Sequence, residues 1–122
     1  ENIINNIDQI EFKHWPLLYS CGISLERSKN WNKAENYFLL ALEYVPNNPQ
    51  VLNYLGYSWI DQGINIDRAL SMIQKAAEQR PNDGYIIDSL GWAYYQLGDY
   101  EKAVLHLEKA SELTSSIIEK LK

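Results

Sequence analysis

One unit of 34 to 35 residues occurs three times in this chain of 122 residues, and this repetition constrains the fold more than any other feature. Gly22, Gly56 and Gly91 mark equivalent positions, separated by 34 and 35 residues. Two series of alanines keep the same spacing: Ala34, Ala69 and Ala103, and then Ala41, Ala76 and Ala110. A period in this range is typical of helical hairpins that stack on one another and share a core. The sequence therefore predicts an all-α solenoid of three helical hairpins.

Turn-forming residues divide each unit into two helices. Gly98 is a natural helix stop and Asp99 a natural N-cap for the next helix. Asn48 followed by Pro49 offers a cap and a first-turn proline, and Asp83 stands at the equivalent place one unit later. We expect helices near 16–28, 31–44, 49–62, 67–80, 85–97 and 100–113.

The pattern resembles the tetratricopeptide repeat, in which a Leu-Gly pair and an aromatic residue mark the first helix, two alanines the second, and a proline the end. The second unit matches this pattern at Leu52, Leu55, Gly56, Trp59, Ala69, Ile73, Ala76 and Pro81. The third unit matches it at Ile87, Leu90, Gly91, Tyr94, Ala103, Leu107 and Ala110. The first unit is a looser match, because Cys21 and Leu25 replace the usual Leu and Tyr. The resemblance implies a right-handed α-solenoid with repeats at 15–48, 49–83 and 84–117.

A closer resemblance rests on two runs of sequence, 49–63 and 83–95. They look like the C-terminal repeats of large exported proteobacterial tetratricopeptide proteins, which are commonly envelope proteins that act as protein-binding scaffolds. The resemblance implies a periplasmic or cell-envelope location, with the cytoplasm as the alternative. Because the sequence begins at Glu1 without Met, we expect a segment or a processed form of a longer protein.

Composition and charge argue against several classes of function. The net charge of −5 and the pI near 4.9 argue against nucleic acid binding, which requires clustered Lys and Arg. The apolar runs are shorter than the roughly 20 residues that span a bilayer, so we expect no direct membrane insertion. Cys21 is the only cysteine and takes a predicted core position, while His14 and His106 are expected to be solvated. We therefore predict no catalytic residue, no metal site and no cofactor.

In each repeat, one face of the first helix does not pack against the second helix, and we predict that this face binds a partner. Stacked hairpins align these faces along one concave groove. The residues on this face that we predict to bind a peptide are Tyr19, Asn53, Tyr57, Asp61, Tyr85, Asp88, Trp92, Tyr95 and Gln96. Aromatic residues concentrate binding energy, and the carboxylates favour a basic partner. Packing against the neighbouring repeat is the alternative for Tyr57 and Trp92.

The predicted function is a non-enzymatic scaffold that binds an extended or helical protein segment with apolar and basic residues. The basic residues with which some tetratricopeptide domains grip a C-terminal carboxylate are missing from the groove face. Two alternatives stay open: self-assembly into a homo-oligomer through exposed ends, and docking that regulates an envelope enzyme such as a protease. Residues 1–14 are expected to form the tail of a preceding helix and a linker. Residues 118–122 are expected to form a capping helix or to begin a truncated repeat, with a capping box starting at Ser116.

Overall fold

A computed structural model describes residues 12–121 of the chain, and these residues form six α-helices and no strand. A short 3-10 turn at Phe12–His14 precedes the first helix. The helices are α1 Trp15–Arg27, α2 Trp31–Tyr44, α3 Pro49–Gln62, α4 Ile66–Gln79, α5 Gly84–Gln96 and α6 Tyr100–Leu121. The first five agree with the sequence prediction to within one residue at each end.

The chain divides into two compact units, one that ends at Val51 and one that begins at Leu52. In the first unit, α1 packs against α2. Leu18 of α1 and Phe38 of α2 are fully buried there. A Cβ atom at Gly22 would lie within 3 Å of the Phe38 ring, so the first unit is a tightly closed helical hairpin.

In the second unit, α3 packs against α4 at Gly56, where a Cβ atom would lie 3.1 Å from the carbonyl oxygen of Ala69. The last hairpin is closed in the same way, because a Cβ atom at Gly91 would lie 3.2 Å from the backbone nitrogen of Leu107. Helices α4 and α5 also contact each other. The equivalent glycines of the two hairpins therefore serve one purpose, which is close approach of helix backbones.

Side-chain caps fix the starts of three helices where the sequence predicts them. The Asn48 carboxamide oxygen accepts hydrogen bonds from the backbone N–H groups of Gln50 and Val51, at 3.0 and 3.1 Å. The Asp83 carboxylate accepts from two backbone N–H groups at the start of α5, at 3.0 and 3.3 Å. At the start of α6, Asp99 accepts from the backbone N–H of Lys102 at 3.2 Å. These bonds satisfy donors that the helix itself leaves unpaired.

The end of α6 differs from the prediction. The helix continues without a break to Leu121, so no separate capping helix begins at Ser116. The segment after Ala110 contains no Gly or Pro that would stop a helix, and its three serines alone do not end one. The continued helix carries Ile117, Ile118 and Leu121 with more than half of each side chain exposed.

Cys21 is half-buried and has a free thiol, so the prediction of a fully buried core cysteine is wrong. Its counterparts Leu55 and Leu90 are 0% and 6% exposed. Leu90 lines a surface depression together with residues of α4, which belongs to the preceding hairpin. The tail of a preceding helix that we expect before α1 falls mostly on residues 1–11, which lie outside the described part of the chain.

Within residues 12–121, no helix combines the length and the apolar character that a membrane-spanning helix needs.

Candidate functional site

Tyr19 belongs to the first unit, and it packs against aromatic residues of that unit. Its ring lies 6.2 Å from the Trp15 ring and 6.2 Å from the Phe38 ring, measured between centroids. Burial raises the pKa of the Tyr19 hydroxyl above the ordinary 10.0. The half-buried ring therefore contributes to hairpin packing, and its predicted role in binding stays a prediction.

The other predicted binding residues belong to the second unit and differ in exposure. Asp61, Asp88 and Gln96 are exposed, whereas Asn53 and Trp92 are half-buried. The exposed fraction is 40% for Tyr57, 48% for Tyr95 and 85% for Tyr85. Five of these residues, Tyr57, Asp61, Asp88, Trp92 and Tyr95, are called the acidic aromatic face below.

Electrostatic contact joins the two helices of this face. Partial burial raises the pKa of the Tyr57 hydroxyl above 10.0, and the charges of Asp61 on α3 and Asp88 on α5 raise it further. Both carboxylates therefore lie close enough to the phenol to oppose its ionisation. Among residues 12–121, neither carboxylate has a hydrogen-bond donor or a basic side chain as a partner. The face thus presents two unneutralised negative charges beside an exposed aromatic ring.

A row of three aromatic rings extends the face toward the turn between α5 and α6. The Trp92 and Tyr95 rings are stacked, with centroids 5.3 Å apart and planes inclined by 12°. Tyr95 also contacts Tyr100, at 5.4 Å and 58°. Tyr100 is 61% exposed and was not among the predicted site residues, because it follows the turn at Gly98 and starts the second helix. The short turn was the signal that could have placed it beside Tyr95.

Two polar atoms of the predicted site residues are buried without a partner. They are the indole nitrogen Nε1 of Trp92 and the carboxamide oxygen Oδ1 of Asn53. Each has almost no solvent-accessible area, and neither forms a hydrogen bond within the described part of the chain. A buried polar group without a hydrogen bond costs free energy, so both atoms destabilise the fold slightly.

A second polar cluster surrounds Tyr94, whose hydroxyl accepts a hydrogen bond from the Gln74 side-chain amide at 3.1 Å. The Lys102 ammonium lies 5.4 Å from the centre of the Tyr94 ring, and the His106 ring lies 5.2 Å away. His106 Nδ1 also lies 2.8 Å from the carbonyl oxygen of Lys102. His106 and His14 are both half-buried, so each is less solvated than the sequence predicts. His106 lies one turn after Lys102 on α6, and its ring packs against the ring of Tyr94.

Two shallow depressions lie in the second unit. One, of about 640 Å³, is lined by α4, α5 and α6 and includes Leu90, Leu105 and His106. The other, of about 380 Å³, lies between the start of α5 and α6 and includes Tyr85 and Asp88. Among the described residues, no three His, Cys, Asp or Glu side chains come together as they would to hold a metal ion.

Comparisons with known proteins agree with these repeats. Residues 85–116 match the family model of the tetratricopeptide repeat. TPR repeat-containing protein PA4667 of Pseudomonas aeruginosa is 31% identical over 94 residues, which are 77% of this chain and 16% of that protein. The chain therefore spans only a small part of the length of this relative.

Two solved structures share the fold. The Sgt2 TPR domain from Aspergillus fumigatus superposes with a TM-score of 0.75 at 24% identity, covering 84% of this chain and 67% of that chain. The first TPR of Spaghetti (RPAP3), bound to HSP90 peptide SRMEEVD, superposes with a TM-score of 0.76 at 16% identity, covering 85% and 82%. At these identities the likeness shows the fold alone. The repeats, the family match and the shared fold together make this chain a tetratricopeptide repeat protein, and they confirm the predicted all-α fold class.

Proposed function

We propose that the acidic aromatic face of the second unit binds a protein segment that carries apolar side chains and at least one Lys or Arg. The observation that carries this proposal is the position of Tyr57 beside two carboxylates that have no basic partner within residues 12–121. A cation from a partner would be attracted to both carboxylates and to the face of the phenol ring.

The tetratricopeptide fold supports the general role of a protein-binding scaffold. It serves as a scaffold for protein–protein interaction and is generally non-enzymatic, and one structural relative is bound to a peptide. A protein or peptide partner is therefore the natural ligand class for this chain. The position of the site on α3 and α5, and the predicted concave groove, are our proposal.

The aromatic residues of the face suit an apolar partner side chain. Trp92 and Tyr95 form a stacked pair, and about half of the Tyr95 side chain is exposed to water. Buried Trp and Tyr anchors carry a large share of binding energy at protein interfaces. We expect truncation of Trp92 to alanine to weaken binding by about 2 kcal/mol or more.

The ligand that we propose differs in charge from the peptide bound to the Spaghetti relative. The peptide SRMEEVD in that structure carries acidic residues near its end. Asp61 and Asp88 would repel such a ligand, since like charges without compensation are unfavourable at close range. A basic and apolar segment fits this face, and an acidic tail does not.

A selection from a phage-displayed library of random dodecapeptides tests the proposal directly. The parent protein should enrich peptides that combine Lys or Arg with apolar residues. Replacing both carboxylates, with Asp61→Asn and Asp88→Asn in one variant, should weaken the selected peptide at low ionic strength and much less at high salt. Glu108→Gln, which removes an exposed carboxylate of α6, serves as the matched control. Enrichment of acidic peptides, or equal affinity of the double variant and the control at low salt, would contradict the proposal.

Self-association is a second candidate function, favoured by the apolar residues at the end of α6. Ile117 and Ile118 are 54% and 53% exposed, and Leu121 is 81% exposed. Contiguous exposed apolar residues of this kind favour contact with another surface. Sedimentation across a range of concentrations would show a higher-mass species that the paired substitutions Ile117→Ser and Leu121→Ser abolish, if this candidate is right.

Two further predictions rest on the family resemblance only. One is the periplasmic or envelope location, and the other is docking of an envelope enzyme such as a protease. Fractionation of cells that produce the full-length protein, followed by detection in the periplasmic and cytoplasmic fractions, tests the first. Co-purification of a protease with those fractions tests the second.

A further inference from the structure

A shallow depression of about 640 Å³ lies between α4 and α6, and α5 contributes its most buried residues. These are Ile87 and Leu90, which are 3% and 6% exposed. Leu105 lines the depression on the α6 side and is 64% exposed. Pockets for small molecules enclose most of the ligand, whereas a shallow and partly apolar depression suits a side chain on the surface of another protein.

Tyr94 holds the two sides of this depression in place. Its hydroxyl accepts a hydrogen bond from Gln74 of α4, and its ring packs against His106 of α6. Gln74 and His106 both line the depression. The depression is therefore preformed, so a partner can bind to it without the conformational entropy cost of ordering these side chains.

The two sides of the depression carry opposite charges. Glu78 of α4 and Lys109 of α6 both line it, and both are exposed. Within residues 12–121, neither side chain forms an ion pair or a hydrogen bond, so the two do not bond each other. A surface that fits this depression therefore presents a basic group to α4 and an acidic group to α6.

The outer surface of α6 has this layout itself. Leu105 lies in its middle, and residues three, four or seven positions apart lie along one side of a helix. By this spacing, one flank of Leu105 is acidic and the other is basic. The exposed residues of the acidic flank are Glu101, Glu108 and Glu112, and those of the basic flank are Lys102 and Lys109. The chain thus carries both the depression and a helix surface that complements it.

We infer that two copies of this chain associate side by side, with Leu105 of each copy placed over the depression of the other. The acidic flank of one α6 then lies against Lys109 of the second copy, and the basic flank lies against Glu78 of that copy. Because both copies use the same patch, each contact occurs twice and the assembly closes at two copies. The contact is small, so the dimer is weak and forms at high protein concentration. This inference is independent of the acidic aromatic face, and its interface differs from the exposed end of α6 at 117–121.

Sedimentation equilibrium at protein concentrations up to about 1 mM tests the inference. A salt concentration of about 0.15 M largely screens the net charge of −5 on each copy. The parent should form a dimer, and Leu105→Ser should raise its dissociation constant roughly tenfold or more, because each dimer loses two buried leucines. Val104→Ser changes an exposed neighbour on another side of α6, so it is the matched control and should leave the constant unchanged.

An exchange of charges tests the pairing of Glu78 with Lys109 between copies. Glu78→Lys brings two bases together in its own dimer, and Lys109→Glu brings two acids together. Each variant alone should therefore dimerise about threefold more weakly than the parent, or weaker still. An equimolar mixture should dimerise more strongly than either variant alone, because the mixed dimer keeps one parental pair and forms one pair with the charges reversed.

A parent that stays monomeric, or a dimer that Leu105→Ser leaves as tight as before, overturns the inference. It is also overturned if Ile117→Ser with Leu121→Ser abolishes the dimer and Leu105→Ser does not, because the interface then lies at the end of α6. A mixture of the two charge variants that dimerises no better than its components contradicts the placement of Glu78 beside Lys109 of the second copy. None of these results bears on peptide binding by the acidic aromatic face, so the proposed function and this inference fail separately.

Discussion

Tyr57 shows how single residues define this surface. Its hydroxyl is more difficult to ionise than that of an ordinary tyrosine, first because it is partly buried and then because Asp61 and Asp88 are nearby. The sequence predicted the three residues for one face from helical spacing alone. It did not indicate that Tyr100 joins the row of rings or that the Trp92 nitrogen is left unpaired, because both depend on distances across a turn and between helices.

Removing a carboxylate should lower the pKa of Tyr57. The phenolate is disfavoured by negative charge, so Asp88→Asn should move the pKa of Tyr57 down toward the ordinary 10.0. An NMR titration of the Tyr57 ring, assigned by Tyr57→Phe, measures it, with Glu101→Gln as a control on α6. If Asp88→Asn and the control leave the same pKa, the two helices do not share this electrostatic contact.

The raised pKa of Tyr57 also predicts how the stability of the protein changes with pH. The folded pKa of Tyr57 is raised, so its contribution to stability is present below pH 10.0 and is lost as pH rises through the folded pKa. The free energy of unfolding should therefore fall less steeply above pH 10.0 in Tyr57→Phe than in the parent.

At the scale of helices, the boundaries that the sequence predicts well are those with a side-chain cap or a helix stop. Asn48, Asp83 and Asp99 each accept backbone N–H groups at the predicted helix start. The end of α6 was predicted poorly, because Ser115 stands where a proline would fall and serine does not end a helix. The local residue pattern decides a boundary only where it satisfies or removes a backbone hydrogen bond.

The cap at Asp83 should be worth about 1 kcal/mol of stability. Asp83→Ala removes an acceptor of two backbone N–H groups at the start of α5, so we expect a lower free energy of unfolding in urea. Asn30→Ala is a matched control, because Asn30 stands at the N-cap of α2 and its side chain makes no capping bond. Equal losses for both variants would show that the Asp83 bonds contribute nothing beyond the generic effect of an N-cap position.

Close packing of the last hairpin gives a second prediction at this scale. Ala103 is 2% exposed, and its neighbour Val104 is 53% exposed. Ala103→Leu should overpack the contact between α5 and α6 and lower the free energy of unfolding by about 1–3 kcal/mol. Val104→Leu adds volume on the exposed side and should leave the thermal melt nearly unchanged. A melt that Ala103→Leu does not shift would contradict the tight crossing.

At the scale of the whole molecule, repetition made the fold predictable and left the ligand open. The repeated glycines and alanines specify hairpins, since each must let two helices approach closely. The net charge of −5 favours a basic partner but does not locate its site. The location that we propose rests on the exposed rings and on the carboxylates near Tyr57, whose placement follows from packing between helices. The burial of Cys21 and His106 was predicted wrongly for a similar reason. A position in the repeat predicts burial only when the residues that pack against it are known.

Mapping the bound peptide onto the protein by NMR tests the central claim most directly. Addition of the selected dodecapeptide should shift the resonances of Tyr57, Asp88 and Trp92 most, because they belong to the acidic aromatic face. The outer face of α6, including Glu101 and Glu108, should shift least. If the largest shifts instead fall on residues 117–121 or around His106, the peptide binds elsewhere and the account of this face is wrong.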